Sequence, residues 1–248
     1  MPELDRGGWT LRYEVAGGGP ELVALTHGFG ATAETWRHQV PALVAAGYRV
    51  LTWDLRAHGR SGSPDEAITI AALGEDLAAV VRAADGPAHA LGHSAGGVVT
   101  MRCALDHPDL VRSLVLVGTA SECNAKAHSW YEGLAVTAEA EGGAAVLKKL
   151  GSRDAADAAP EARGFARIAR AMGGLHHAPL TSELERLRCP TFIVVGDKDF
   201  LGVGGSVIIS RRIPGSRLEI VPGGVHALFH QDPAGFNARL IAFLRSLA

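Results

Sequence analysis

The segment Ala90–Val99, ALGHSAGGVV, surrounds one serine with small residues directly after an apolar run. Gly92 and Gly96 stand two positions before and two positions after Ser94. A sharp turn from a strand into a helix strains the backbone of its central residue and leaves room only for small neighbours. The spacing therefore predicts that Ser94 presents its hydroxyl at the carboxyl edge of a sheet, as a candidate nucleophile.

A serine hydroxyl is a poor nucleophile by itself and needs a base, usually a histidine, that a carboxylate orients. The sequence holds 11 histidines, so position must identify the base. His226 follows the last strand candidate, which places it at the same predicted sheet edge as Ser94. We therefore predict His226 as the general base. The less favourably placed alternatives are His27, His58, His93 and His230.

Two carboxylates follow an apolar strand in the segment VVGDKDF. Asp197 lies nearer to the strand end, where an aspartate ordinarily caps a turn. Asp199 lies two residues further into the loop and has the better reach to a histidine on the neighbouring loop. We predict Asp199 as the orienting acid, with Asp197 and the more distant Glu122 as alternatives.

Acyl transfer also needs hydrogen-bond donors for a developing oxyanion. The amide of Ala95 lies at the start of a predicted helix, where N–H groups have no partner within the helix. The segment Leu25–Gly30, LTHGFG, follows another apolar strand. Gly28 and Gly30 allow a tight backbone path that leaves the amide of Phe29 free to point inward. Phe29 and Ala95 are thus the predicted donors.

The elements that must position these residues alternate between short apolar runs and helical segments. Apolar runs of this length suit central parallel strands, and alternation with helices predicts a mostly parallel sheet with right-handed crossovers. The first run alternates in polarity and predicts a half-exposed antiparallel strand. Strands are predicted at 9–16, 22–28, 49–55, 88–94, 113–119, 191–197 and 217–223, and helices at 33–47, 69–84, 96–108 and 233–247.

The stretch 120–187 contains no strand candidate and is rich in Ala, Glu, Arg and Gly. It is too long for a bare loop and is interpreted as several short helices. We predict an α/β core at 1–119 and 188–248, with a small helical cap inserted at 120–187. Trp130 of this cap and Leu228 are predicted to line a pocket for a small-molecule substrate that is uncharged and partly apolar.

The composition limits the classes of function. The 248 residues are 47% hydrophobic and 20% charged, which supports one large domain with a sizeable core. The net charge of −2 and the lack of a basic face argue against nucleic-acid binding. We find no membrane-spanning run, no signal peptide and no motif for a metal or cofactor. Three widely spaced cysteines favour reduced thiols and a cytoplasmic location, and nothing indicates the oligomeric state.

Together these motifs resemble the α/β-hydrolase superfamily over nearly the whole chain. The order of nucleophile, acid and histidine is the one that the superfamily uses. The resemblance implies an α/β-hydrolase fold, a catalytic triad of Ser94, Asp199 and His226, and an oxyanion hole formed by backbone amides. The motifs that carry it are HGFG at His27–Gly30, DLRAHGRS at Asp54–Ser61, GHSAGG at Gly92–Gly97, GDKD at Gly196–Asp199 and GGVH at Gly223–His226.

Three positions depart from the superfamily pattern. Ala57 and Val225 stand where glycine is usual, and Ala95 stands where enol-lactonases and cofactor-free haloperoxidases commonly have methionine. None of these changes removes a catalytic group. We predict a serine hydrolase that cleaves a carboxylic ester or lactone through an acyl-enzyme intermediate. The alternatives are a C–C bond hydrolase of a diketone-like ring-cleavage product, and a hydrolase-fold receptor or binding protein with little turnover.

Overall fold

The computed structural model describes residues 2–151 and 161–247. Within these residues eight strands form one sheet in the order β1-β2-β4-β3-β5-β6-β7-β8. The β1–β2 and β2–β4 pairs are antiparallel, and all other neighbouring strands are parallel. The mostly parallel sheet that the sequence predicts is confirmed. The strands are β1 (Glu3–Asp5), β2 (Thr10–Ala16), β3 (Leu22–Thr26), β4 (Arg49–Trp53), β5 (Ala88–His93), β6 (Val111–Val117), β7 (Thr191–Gly196) and β8 (Arg217–Val221).

Helices cover both faces of this sheet. Alternate side chains of a buried strand enter different cores, because successive residues of a strand point to opposite faces. On β3, Leu22 and Ala24 pack into one core, whereas Val23 and Leu25 pack into the other. The helices are α1 (Gln39–Ala45), α2 (Ile70–Ala83), α3 (Ala95–Asp106), α4 (Ala125–Glu141), α5 (Gly143–Lys149), α6 (Ala162–Gly173), α7 (Gly204–Arg212), α8 (Leu228–Gln231) and α9 (Pro233–Arg245).

The segment 33–47, predicted as one helix, is divided in the structure. A short 3-10 turn covers Ala33–Trp36, and α1 begins only at Gln39. Proline lacks the N–H that would continue the hydrogen-bond ladder, so it is tolerated only in the first turn of a helix. Pro41 occupies that turn of α1, and the helix therefore starts anew just before it.

The stretch predicted as a cap forms helices where the structure describes it. We call α4, α5 and α6 the cap helices; they share a small apolar core that contains Leu134, Val146, Leu147 and Phe165. Residues 152–160 of the predicted cap lie outside the described residues. The boundaries of the two predicted domains stay a prediction. Across the described ranges, no helix is both long enough and apolar enough to cross a lipid bilayer.

Candidate active site

Ser94 lies in the turn between β5 and α3, with backbone angles of φ 52° and ψ −119°. A non-glycine residue at positive φ is strained and persists only where its surroundings enforce it. The flanking glycines explain how the turn is packed. A Cβ atom on Gly92 would lie 2.2 Å from the carbonyl oxygen of Gly96, and one on Gly96 would lie 2.3 Å from that of Thr26. The small residues around Ser94 are therefore a steric requirement of this turn.

A histidine and a carboxylate meet near the serine on neighbouring loops. His226 follows β8, Asp199 follows β7, and the two side chains are joined by distances of 2.8 and 3.0 Å from His226 Nδ1 to the carboxylate oxygens of Asp199. The carboxylate is fully buried and also accepts the N–H of Leu201 at 2.8 Å. The hydrogen bond fixes the tautomer of His226, because Nδ1 must carry the proton that it donates. His226 Nε2 is then free to accept a proton.

The structure adds Gly118, directly after β6, to the residues that build this site. Its φ is +52°, and a Cβ atom there would lie 2.8 Å from Asp199 Oδ2 and 3.2 Å from His226 Nδ1. Any other residue would enter the space where the histidine and the carboxylate meet. The sequence offered a signal in the glycine that ends LVLVG, but that glycine is also an ordinary end to a strand.

The alternative acids have other partners. Asp197 Oδ1 accepts the N–H of Gly223 at 2.7 Å, which ties together the loops after β7 and β8. Glu122 accepts a hydrogen bond from the hydroxyl of Thr181 at 2.6 Å. Within residues 2–151 and 161–247, neither carboxylate bonds to His226. Asp199 alone of the three acids that were considered contacts the predicted base.

Two alternative histidines serve the backbone of the site. His27 Nδ1 donates to the carbonyl of Gly28 at 2.8 Å, and its Nε2 accepts the N–H of Leu55 at 3.0 Å. His58 Nδ1 donates to the carbonyl of Arg56 at 3.1 Å, and its Nε2 accepts the N–H of Gly30 at 3.0 Å. Both imidazoles therefore use their two nitrogens to fix loops, which leaves neither available as a base for Ser94.

His93 and His230 are the remaining alternatives to His226. The ring centroids of His93 and His226 are 4.6 Å apart, and His93 Nε2 donates to the backbone oxygen of His226 at 3.2 Å. His93 thus supports the loop that carries His226, a contact that its position beside Ser94 did not reveal. His230 Nε2 lies 2.9 Å from the hydroxyl of Thr35.

The two predicted oxyanion donors border the space beside the serine hydroxyl. Phe29 lies in the loop after β3, and Ala95 is the first residue of α3. In the part of the chain that the structure describes, neither backbone N–H donates to a protein group. A helix N-terminus carries partial positive charge, which favours an anion near Ala95. Both amides are thus available to a ligand.

Two cavities of about 360 Å³ each meet at Ser94. The first cavity is lined by Phe29, His93 and His226. The second extends past Ala95 and is lined by Val98, Ile208 and Glu122. Their shared walls are Ser94, Trp130, Tyr131 and Leu201.

Trp130, a predicted pocket residue, borders both cavities and is 41% exposed. The structure corrects the position predicted for Leu228. This side chain is 4% exposed, packs into the core with Phe229 and Phe236, and borders neither cavity beside Ser94. It opens the short helix α8, whose buried side faces the core. The described residues contain no group of three or more His, Cys, Asp or Glu side chains arranged to hold a metal ion.

Three of the buried histidines make the fold sensitive to acid. Burial lowers the pKa of His27 to about 4, and burial together with the neighbouring His27 lowers the pKa of His58 to about 3. Burial and the adjacent His226 hold the pKa of His93 well below its usual value. In the unfolded chain each would titrate near 6.5. Below pH 6.5 the unfolded state therefore takes up protons that the folded state excludes.

We expect the free energy of unfolding to be highest above pH 6.5 and to fall as the pH drops towards 4. His27 and His58 each contribute roughly 1 kcal/mol of loss for each pH unit in this window, and His93 acts in the same direction. Urea unfolding at pH 8, 7, 6 and 5 measures the slope. Replacing His58 with glutamine should reduce the slope of the free energy of unfolding against pH by the equivalent of about one proton. A flat profile between pH 7 and 5 would contradict the expectation.

Comparison with known proteins supplies the context of this site. The model of a family described as serine aminopeptidase, S33, matches residues 20–233. A relative from Variovorax paradoxus (strain S110), named RutD and provisionally described as a carbamate hydrolase, is 30% identical over 254 residues, covering 94% of this chain and 96% of the relative.

Solved structures match over nearly the full chain. A hydrolase from Pseudomonas aeruginosa PA01 is 30% identical with a TM-score of 0.85, covering 98% of this chain and 97% of that one. The enol-lactonase from Burkholderia xenovorans LB400 superposes with a TM-score of 0.88 at 22% identity, covering 98% of this chain and 100% of that one. At that identity the likeness to the lactonase shows the fold alone.

Proposed function

Because the chain belongs to the α/β-hydrolase superfamily, within the family described as serine aminopeptidase, S33, we propose that it cleaves carboxylic esters or lactones through a Ser-His-Asp triad. That the chain is a hydrolase of this type follows from the family itself. The ester or lactone substrate and the roles of individual residues are the proposal. Ser94 is the nucleophile, His226 the general base and Asp199 the orienting acid.

One observation carries the proposal. His226 Nδ1 is 2.8 Å from the buried carboxylate of Asp199, and the imidazole borders the same cavity as the strained Ser94. A buried carboxylate beside imidazole stabilises the imidazolium that forms when the base accepts a proton. Such a pair can accept a proton from a nucleophile on the cavity side of His226, and we assign that role to Ser94, which lines the same cavity.

The proposed reaction follows from these roles. Ser94 Oγ attacks the substrate carbonyl as its proton passes to His226 Nε2, and the carbonyl oxygen becomes an oxyanion bound by the amides of Phe29 and Ala95. Collapse of this intermediate breaks the bond between the carbonyl carbon and the alkoxide oxygen, which takes the proton from His226. The resulting alcohol leaves when the substrate is an ester and stays attached to the acyl chain when it is a lactone. Water, deprotonated by His226, then attacks the acyl-serine, and the carboxylic acid departs as Ser94 regains its proton. Each oxyanion donor contributes roughly 3 kcal/mol to stabilising the transition state.

Carbamate cleavage is the second candidate, and the description of the Variovorax paradoxus relative favours it. A carbamate offers the same carbonyl to Ser94 and the same developing oxyanion to Phe29 and Ala95. It differs in electrophilicity, because the nitrogen lone pair conjugates with the carbonyl and slows attack. The same residues would then form a carbamoyl-serine intermediate.

A substrate panel separates these candidates. We expect the protein to hydrolyse p-nitrophenyl esters or aliphatic lactones with a higher kcat/KM than matched aryl carbamates. A fluorophosphonate probe should label one serine stoichiometrically, and preincubation with it should abolish turnover. Higher kcat/KM on the carbamates would replace the ester proposal with carbamate hydrolysis. If the panel is inert, turnover of vinylogous diketones would indicate C–C hydrolysis, and labelling without turnover of any substrate would indicate a binding protein.

A further inference from the structure

We propose that Phe165, on cap helix α6, is a positioning residue that holds the loop Gly28–Gly30 in the geometry needed for oxyanion stabilisation. We call Gly28–Gly30 the oxyanion loop. The inference rests on the proposed function, since it assigns Phe165 to the placement of the Phe29 amide. It links a residue outside both cavities to the reacting atoms through one packed ring.

The first contact is an aromatic stack. The rings of Phe29 and Phe165 are nearly parallel, with centroids 4.2 Å apart and an interplanar angle of 22°. Phe165 is fully buried in the core of the cap helices. The Phe29 ring also meets Tyr131 of α4 and His58 edge-on, at 6.1 and 5.8 Å. Because the ring is held by three neighbours, the backbone of Phe29 has little freedom to turn its N–H away.

The next residue of the oxyanion loop is held from two sides. Gly30 has φ +77°, and a Cβ atom there would lie 2.9 Å from Leu150 Cδ1 and 3.2 Å from Leu147 Cδ2. Its N–H donates to His58 Nε2 at 3.0 Å. The loop backbone is thus confined between the side chains that end helix α5 and the imidazole of His58.

Helix α6 makes the third contact, directly beside Phe165. A Cβ atom on Gly164 would lie 2.5 Å from the Cβ of Ala57, so helix α6 approaches the loop after β4, which also carries His58, as closely as glycine allows. The rings of Phe165 and His58 are 5.2 Å apart. Phe165 therefore packs on both groups that hold the oxyanion loop, the Phe29 ring and the His58 imidazole. The cap helices and the oxyanion loop form one packed unit.

This arrangement has a kinetic consequence. Oxyanion donors act on charge that develops in the transition state, so a displaced donor lowers kcat more than it weakens substrate binding. Misplacing a catalytic group by about 1 Å can cost about 100-fold in rate. If the ring of Phe165 is lost while His58 and Tyr131 stay in place, the Phe29 amide should move by less than about 1 Å. We expect a fall of about tenfold in kcat.

The test compares Phe165→Leu with Met172→Ala. Leucine at position 165 keeps an apolar side chain but cannot stack on the Phe29 ring. Met172 is the control position because it is buried on the same helix, two turns after Phe165. We expect Phe165→Leu to lower kcat about tenfold with KM within about twofold. An aryl trifluoromethyl ketone forms a tetrahedral adduct that presents an oxyanion. Phe165→Leu should weaken the binding of this inhibitor by the same factor by which it lowers kcat/KM. Met172→Ala should lower Tm without either effect.

A second readout does not depend on turnover. Amide hydrogen exchange at Gly30 should be faster in Phe165→Leu than in Met172→Ala, because the stack restrains the loop that carries this N–H. An unchanged kcat, a rise in KM alone, or equal exchange in the two variants would overturn the positioning role. If the wild-type protein hydrolyses nothing in the panel, the proposed function fails, and the exchange comparison then decides the positioning of the loop separately.

Discussion

Replacing Ser94 with alanine should lower kcat/KM on the best substrate by at least about 10⁴-fold. Alanine cannot form the acyl-enzyme, so only the oxyanion donors and binding would remain to accelerate attack by water. Steady-state hydrolysis and fluorophosphonate labelling measure the effect, and we expect labelling to disappear as well. The methyl group of alanine fits the space that the serine side chain leaves, so Tm should change little.

The matched control is Ser129→Ala, on the exposed side of α4. It should retain both turnover and labelling. Turnover that persists within about tenfold in Ser94→Ala would rule out the nucleophile role assigned to this serine. Loss of labelling in Ser129→Ala would show that the probe reports a different residue.

Asp199→Asn is expected to reduce kcat by about 10⁴-fold. The asparagine amide would donate to His226 Nδ1, which moves the imidazole proton to Nε2. A protonated Nε2 cannot accept the proton of Ser94, so attack would lose its general base although the geometry stays nearly intact. The measurement is kcat at pH 7 to 8 together with Tm, which separates a change of tautomer from a loss of folding.

Asp197→Asn is the natural control, because it changes the other aspartate of the same loop. Its amide oxygen can still accept the N–H of Gly223 that the carboxylate accepts at 2.7 Å. We expect kcat to stay within about threefold of the wild-type value, since Asp197 makes no contact with His226 in the described structure. Equal losses in the two variants would mean that the loop, and not the charge at Asp199, controls activity.

Three of the four strands that carry the site, β3, β5 and β7, could be predicted from sequence because they are buried on both faces. The fourth, β8, is only partly buried and gives a weaker signal. A short apolar run between polar loops gives a strong signal, and β3, β5 and β7 lie within one or two residues of their predicted ranges. The exposed three-residue strand β1 gives no such signal. Helix α7 cannot be recognised from sequence because it begins with two glycines, which favour no regular structure.

Loop residues could be assigned to the site by their order along the chain, but apart from the pairing of His226 with Asp199 their contacts could not be predicted. The proximity of His226 and Asp199 follows from two adjacent parallel strands, β7 and β8, that end at one edge. The support from His93, the clearance at Gly118 and the stack of Phe165 on Phe29 depend on side-chain packing between distant segments. Sequence spacing carries no direct record of such contacts. Leu228 shows the same limit, because apolar character suits a pocket wall and a core equally well.

The parallel order of the sheet also governs when the site can exist during folding. The loops that carry the site follow four strands, β3, β5, β7 and β8. Although these strands lie in one sheet, each is separated from the next along the sequence by tens of residues. Closing such segments costs entropy before any strand pairing compensates for it. We therefore expect the site to be complete only after β7 and β8 have joined the sheet. The rate at which activity recovers after dilution from denaturant should therefore report the rate at which the whole fold is completed.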